Sequence, residues 1–147
     1  MRTGATQRRA GASNTATGGR EHAMSKKISS LMHREVCLVG LDDTAQSVEA
    51  QMVAKGLSWV PVANADGVVL GVISSADLLR LHAEGKPIQK VSAWQLCTYK
   101  PITVRPDATL SEVASLMVAM NVHHVVVAEG THIKGVVSSL DFVRTFV

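Results

Sequence analysis

Gly71–Arg80 reads GVISSADLLR, and Gly135–Arg144 reads GVVSSLDFVR. Each stretch runs from a glycine through an apolar pair into Ser-Ser, with an aspartate three positions past the first serine and an arginine three positions beyond that. The apolar pairs, Val72-Ile73 and Val136-Val137, have the character of buried strand ends. The residues after each pair have the character of a helix start, with Ser74 or Ser138 at the N-cap and Asp77 or Asp141 at the third helical position. A strand that runs straight into a helix start places backbone N–H groups beside a hydroxyl and a carboxylate, which suits a polar ligand.

Working outward, the residues around these two stretches also come in pairs, about sixty-five residues apart. Ile28–Met32 and Val91–Leu96 read as short helical lead-ins, and Val36–Val39 and Ile102–Val104 as short strands. The turns Asp42-Asp43-Thr44 and Asp107-Ala108-Thr109 then cap helices. The first helix is expected over Ala45–Lys55, with Ala45, Val48 and Met52 at helical spacing and Gly56 as its left-handed end. The second is expected over Leu110–Met120, with Leu110, Val113, Leu116, Met117 and Met120 on one face, a capping box from Thr109 and Glu112, and Asn121 in place of Gly56. The strands Trp59–Ala63 and His124–Ala128 come next, followed by turns at Asp66-Gly67 and Glu129-Gly130 that lead back into the two opening stretches. Each copy therefore reads β-α-β-β-α, and the fold class is α/β (α+β) with two such units. A unit this small cannot bury its own apolar helix face, so the two are expected to pack about a pseudo-two-fold axis. The same symmetry makes a homodimer the simplest closed assembly.

Residues 26–82 form the first unit on this reading, 83–90 a short linker and 91–147 the second unit. Residues 1–25 are Gly, Ala, Thr, Ser and Arg with almost nothing to bury, and are expected to be a disordered leader, or an extension ahead of a start at Met24.

Composition narrows the function. Apolar residues make up 46% of the chain but aromatics only 3%, so few rings are on hand to stack against bases. The net charge of +3 has a local origin: of 15 basic and 12 acidic residues, Arg2, Arg8, Arg9, Arg20 and Glu21 lie in the first 25, which leaves eleven of each sign in the remainder. The folded part is neutral, and nucleic acid is not an expected partner. Cys37 and Cys97 stand in no metal-ligand or disulfide spacing and read as reduced thiols of a cytoplasmic protein. No window approaches the ~18 apolar residues of a membrane span. Adjacent His123 and His124 point to opposite faces of a strand and with His132 make a poor metal set. Arg80 and Arg144 are placed to pair with the aspartates one turn earlier. Met52, Met117 and Met120 read as core, and Trp94 as a packing or dimer-interface anchor.

The tandem β-α-β-β-α units, the strand Val60-Pro61-Val62 with its counterpart Val125-Val126-Val127, and above all the repeated ending Gly-apolar-apolar-Ser-x-x-Asp resemble the cystathionine-β-synthase (CBS) domain pair, the Bateman module. The resemblance covers Lys26–Val147. It implies a non-catalytic sensor that holds an adenosine-containing ligand between paired domains, with AMP, ADP, ATP and S-adenosylmethionine as candidates and no obligatory cofactor. It further implies that Asp77 and Asp141 chelate the ribose hydroxyls and that Ser74 and Ser138 contact ribose or phosphate. Ser58 and Trp59, with His123 and His124, would meet phosphate, and Cys37 and Leu38, with Ile102 and Thr103, would meet the base.

The chemistry agrees with these roles. Two vicinal hydroxyls can donate to the two oxygens of one carboxylate, and hydrogen bonds to a charged partner are worth roughly 1.5–3 kcal/mol each. The positions just before each aspartate, Ser75-Ala76 and Ser139-Leu140, carry no cation, which favours an AMP-like or less charged ligand over a triphosphate. The same serines and aspartates also serve as helix caps. The competing reading is a ligand-free dimerisation domain that regulates a separate protein. No nucleophile-base pair or clustered carboxylates point to an enzyme.

Overall fold

Thr44 and Thr109 decide where the two long helices begin. Each accepts a hydrogen bond at its side-chain oxygen from the N–H three residues on, Ser47 and Glu112 respectively, at 3.1 Å. A computed structural model of the chain describes residues 22–147. In it, α1 spans Ala45–Lys55 and α4 spans Leu110–Met120, ended by Gly56 and Asn121 at φ 64° and 53°. Both ends are left-handed, as the residue types require. The expected leader lies outside the described residues up to 21, while His22–Met24 form a helical turn and Met24 packs against a core.

Around these helices stand two small sheets. The first contains β1 (Val39–Gly40), β2 (Trp59–Ala63), β3 (Val69–Ser74) and β4 (Thr98–Tyr99) in that order. The second contains β5 (Thr103–Val104), β6 (His124–Glu129) and β7 (His132–Ser138). In each, a short strand runs parallel to the middle strand, which pairs antiparallel with the strand that enters the repeated motif. The motif then turns into α2 (Ser75–Ala83) or α5 (Ser139–Arg144). A further helical turn, α3 (Ala93–Leu96), follows the linker.

The fold is α+β with two like units about a pseudo-two-fold axis, and its lead-ins are exchanged. The lead-in of the first unit closes the second: Ile28 is fully buried there with Val113, Val125 and Val137. Its backbone joins the second unit through Ile28 N–H to Ala108 C=O (2.7 Å) and Leu110 N–H to Lys26 C=O (2.9 Å). The second lead-in does the same for the first unit, through Ala93 N–H to Asp43 C=O and Ala45 N–H to Val91 C=O, both 2.8 Å. Ala93 and Cys97 accordingly lie in the core with Val48, Val60 and Ile73. Thr98 pairs with Val72 on β3, and His33 pairs with Val136 on β7.

This exchange explains the glycine that opens each motif. A Cβ on Gly71 would lie 2.7 Å from the Thr98 carbonyl, and one on Gly135 would lie 2.8 Å from the His33 carbonyl. Neither glycine is needed for its dihedrals. Both are needed because another backbone crosses at contact distance.

Three local expectations change. The first strand is Val39–Gly40 alone, and Cys37 and Leu38 precede it because its partner β2 offers register only at Val62 and Ala63. The strand expected from Ile102 begins at Thr103. Met120 is half-exposed, since the last turn of α4 overhangs the core, while Leu110, Val113 and Met117 are buried as expected. No helix among the described residues is long and apolar enough to cross a membrane.

Candidate functional site: two strand-to-helix junctions

Both repeated junctions form complete capping boxes. Ser74 Oγ accepts from Asp77 N–H at 3.3 Å, and Asp77 Oδ2 accepts from Ser74 N–H at 2.8 Å. In the second unit the matching distances are 3.3 Å from Asp141 N–H to Ser138 Oγ and 2.7 Å from Ser138 N–H to Asp141 Oδ2. Each carboxylate therefore commits Oδ2 to its own helix, Asp77 Oδ2 also accepting from Ser74 Oγ at 3.0 Å, and leaves Oδ1 directed away from the cap. The first N–H of each helix is committed too: Ser75 N–H donates to Ser58 C=O and Ser139 N–H to His123 C=O, both at 2.8 Å. Most of the amides that would have faced a phosphate are thus already bonded, so Ser58 and His123 act at these junctions through their carbonyls.

The outward oxygens differ in their surroundings. Asp77 Oδ1 meets Arg80 Nη1 at 3.4 Å, and that guanidinium is largely in solvent. Asp141 Oδ1 instead accepts from His33 Nε2 at 2.8 Å. Burial pushes the Asp141 carboxyl up, but the Ser138 backbone and His33 hydrogen bonds outweigh it and hold the group below the usual carboxylate range. His33 went unnoticed in the sequence. The available signal was the equivalent position Thr98, since the two residues come just after the matched helical lead-ins Ile28–Met32 and Val91–Leu96.

Trp59 and His124, the first residues of β2 and β6, stack with ring centroids 4.9 Å apart and planes 6° from parallel. Burial, with His123 beside it, holds the His124 imidazole below its ordinary value, against a smaller opposing pull from Asp141. His123 is exposed. Among the described residues no three His, Cys, Asp or Glu side chains stand together as a metal set.

Three recesses adjoin these groups. An open cleft of about 1160 Å³ lies between the first lead-in and β2, lined by His33, Arg34, Cys37, Lys55, Trp59 and Val136. Its size exceeds the roughly 300–1,000 Å³ of a drug-sized ligand site. A groove of about 410 Å³ runs beside Asp77 with Arg80, Lys86, Lys90 and Gln95. A third, about 330 Å³ and mostly apolar, lies between α4 and α5 with Met117, Val122, His123 and Phe142. The cations Arg34, Lys55, Lys86 and Lys90 thus come to these recesses from remote segments, where no motif spacing pointed to them. Of the expected base contacts, Cys37 lines the large cleft, Leu38 is 38% exposed, Ile102 packs against the second core and Thr103 is exposed. Cys37 and Cys97 are both free thiols.

Comparison with known proteins bears on this arrangement. The family model described as "CBS domain" matches residues 28–84 and 93–147. Arabinose 5-phosphate isomerase KdsD of Escherichia coli K12 is 25% identical over 120 residues, which are 80% of this chain and 37% of that enzyme. The chain thus spans well under half the length of that curated relative. Among solved structures, CBSX2 in complex with AMP matches with a TM-score of 0.73 at 20% identity, over 82% of this chain and 95% of that one. The CBS domain pair of protein MJ0100, in complex with 5'-methylthioadenosine and S-adenosyl-L-methionine, matches with a TM-score of 0.74 at 20% identity, over 83% and 100%.

Proposed function

Because the chain belongs to the CBS domain family, with both family segments spanning its two units, we propose that it is a cytoplasmic regulatory module that binds an adenosine-containing ligand at its strand-to-helix junctions and acts by binding, with no catalytic step. The observation that carries this reading is the outward Oδ1 of Asp77. The capping box fixes the carboxylate through Oδ2 and leaves Oδ1 beside a groove lined by Arg80, Lys86 and Lys90 together with Glu84. A fixed, partly exposed carboxylate is a ready acceptor for two vicinal hydroxyls. The AMP and S-adenosylmethionine complexes of similar domain pairs support the same ligand class.

The committed helix amides favour an AMP-like ligand over a triphosphate. With Ser75 and Ser139 N–H groups already bonded, phosphate binding falls to scattered cations such as Lys86 and Lys90, and Lys86 is itself paired with Glu84 at 2.9 Å. A thermal-shift panel with AMP, ADP, ATP, adenosine and S-adenosylmethionine tests the reading. A ligand at a hundred times its Kd stabilises by about 2.7 kcal/mol, or roughly 5–10 °C for a chain of this size. No shift with any of the five refutes it.

A second reading, a dimerisation domain that regulates a separate protein, has its own support. Val118 is 82% exposed, and Met120, Leu140, Val143 and Phe146 also show large apolar surface on or next to the helices of the second unit. Such residues fit a self-complementary contact between two copies. Sedimentation of the native chain against Val118→Lys separates the cases: a dimer that dissociates in the variant supports it, and a monomer at all concentrations rejects it.

A further inference from the structure

We propose that the two motif aspartates are unequal sites: His33 latches Asp141, so that a diol-bearing ligand enters at Asp77 and reaches Asp141 only by displacing His33. This rests on the ligand-binding reading above and adds to it which site is open and what closes the other.

The two junctions share the same capping box, the first adding a hydrogen bond from Ser74 Oγ to Asp77 Oδ2 at 3.0 Å, and they differ in what meets Oδ1. Both aspartates cap their helices at nearly the same distances. Both opening glycines are crossed by a lead-in from the other unit, by Thr98 over Gly71 and by His33 over Gly135. Because Thr98 and His33 hold the same register against β3 and β7, the difference between threonine and histidine is a difference at one structural position. The imidazole spans to Asp141 Oδ1 at 2.8 Å and leaves that carboxylate 7% exposed. Asp77 is 14% exposed, and among the described residues its partner at Oδ1 is a solvent-facing arginine at 3.4 Å.

His33 is well fixed for the task. Its N–H donates to Val136 C=O at 2.9 Å, and its C=O accepts from Val136 N–H at 3.0 Å. The imidazole reaches the carboxylate from this anchored backbone, yet it is 58% exposed on its other side, so a ligand has room to push it away. The other charged or titratable groups around Asp141 are His124 on β6, coupled to it electrostatically, and Arg144 one turn along α5. A sugar hydroxyl arriving at Asp141 must replace a charge-assisted hydrogen bond from His33, whereas at Asp77 it must replace only a long one from Arg80.

Calorimetry with AMP as the probe, on the native chain, His33→Thr, His33→Gln and Asp77→Asn, tests the latch. The native chain should take one AMP per chain, and Asp77→Asn should weaken that binding at least tenfold. His33→Thr, which copies the open junction, should take two. His33→Gln, which keeps a donor, should stay at one. Two equal sites in the native chain, or one site in His33→Thr, overturns the proposal. A readout free of ligand runs in parallel: the Asp141 carboxyl carbon, titrated by NMR, should move to a higher midpoint in His33→Thr. An unchanged midpoint overturns the latch. If AMP binds to none of the four proteins, the ligand reading fails for AMP, and the carboxyl titration alone decides the latch.

Discussion

Trp59 and His124 lie face to face across the seam between the two units, 4.9 Å apart at their centroids and nearly parallel. They are the same position of the two copies, each the first residue of a central strand. The symmetry that repeats the sequence thus brings unlike side chains together at the axis. One face of Trp59 is occupied by the imidazole, so a nucleobase that uses the indole as a wall must take its other face.

The stack predicts an acid-sensitive stability. Burial holds folded His124 below its ordinary value, so as pH falls through about 6.5 the unfolded chain takes up a proton before the folded one does. Stability is fully present above that value and declines toward the lowered folded one. Denaturant midpoints between pH 8 and pH 5 should fall more steeply for the native chain than for His124→Phe; parallel slopes would reject this. Asp141 acts in a lower window. Its lowered folded value means that its contribution is present above about pH 4 and is lost on further acidification.

Exchange of the lead-ins predicts that a change in one unit's sequence damages the other's core. Ile28→Ala should cost about 2–5 kcal/mol, the usual range for a large-to-small change at a fully buried site. By hydrogen exchange mass spectrometry, Val125–Val127 should lose protection ahead of Val60–Val62. Equal loss in both strands, or loss confined to the first unit, would refute the exchange.

Crowding at the opening glycines predicts a penalty unrelated to φ. Gly135→Ala presses a methyl against the His33 carbonyl and should destabilise by about 1–3 kcal/mol, lowering Tm by roughly 3–10 °C. Gly71→Ala should behave alike, through Thr98. A neutral result in calorimetric melting would mean that the lead-in does not cross there.

Capping and ligand binding should separate at the first junction. Ser74→Ala removes the hydroxyl cap and should cost about 1 kcal/mol of stability, with AMP affinity changed only a few-fold. Asp77→Asn keeps an acceptor for Ser74 N–H but loses the charge, and should weaken AMP by roughly tenfold or more while stability moves less. Unchanged AMP affinity in Asp77→Asn would confine this residue to its capping role.

The sequence by itself determined whatever depends on neighbours within a few residues. Thr44, Ser74, Thr109 and Ser138 start helices because their side chains reach an N–H three residues on, and Gly56 and Asn121 end them because they tolerate a left-handed backbone. Two such units in register were enough to read the repeat and the family. Tertiary structure alone decided which lead-in closes which core, that Trp59 meets His124, and that His33 rather than Arg144 engages Asp141. These pairings join residues 65 and 108 positions apart. Local propensity says nothing about them, because each joins side chains that only the packing of the two units brings together, the lead-ins crossing β3 and β7 where Gly71 and Gly135 leave room for them.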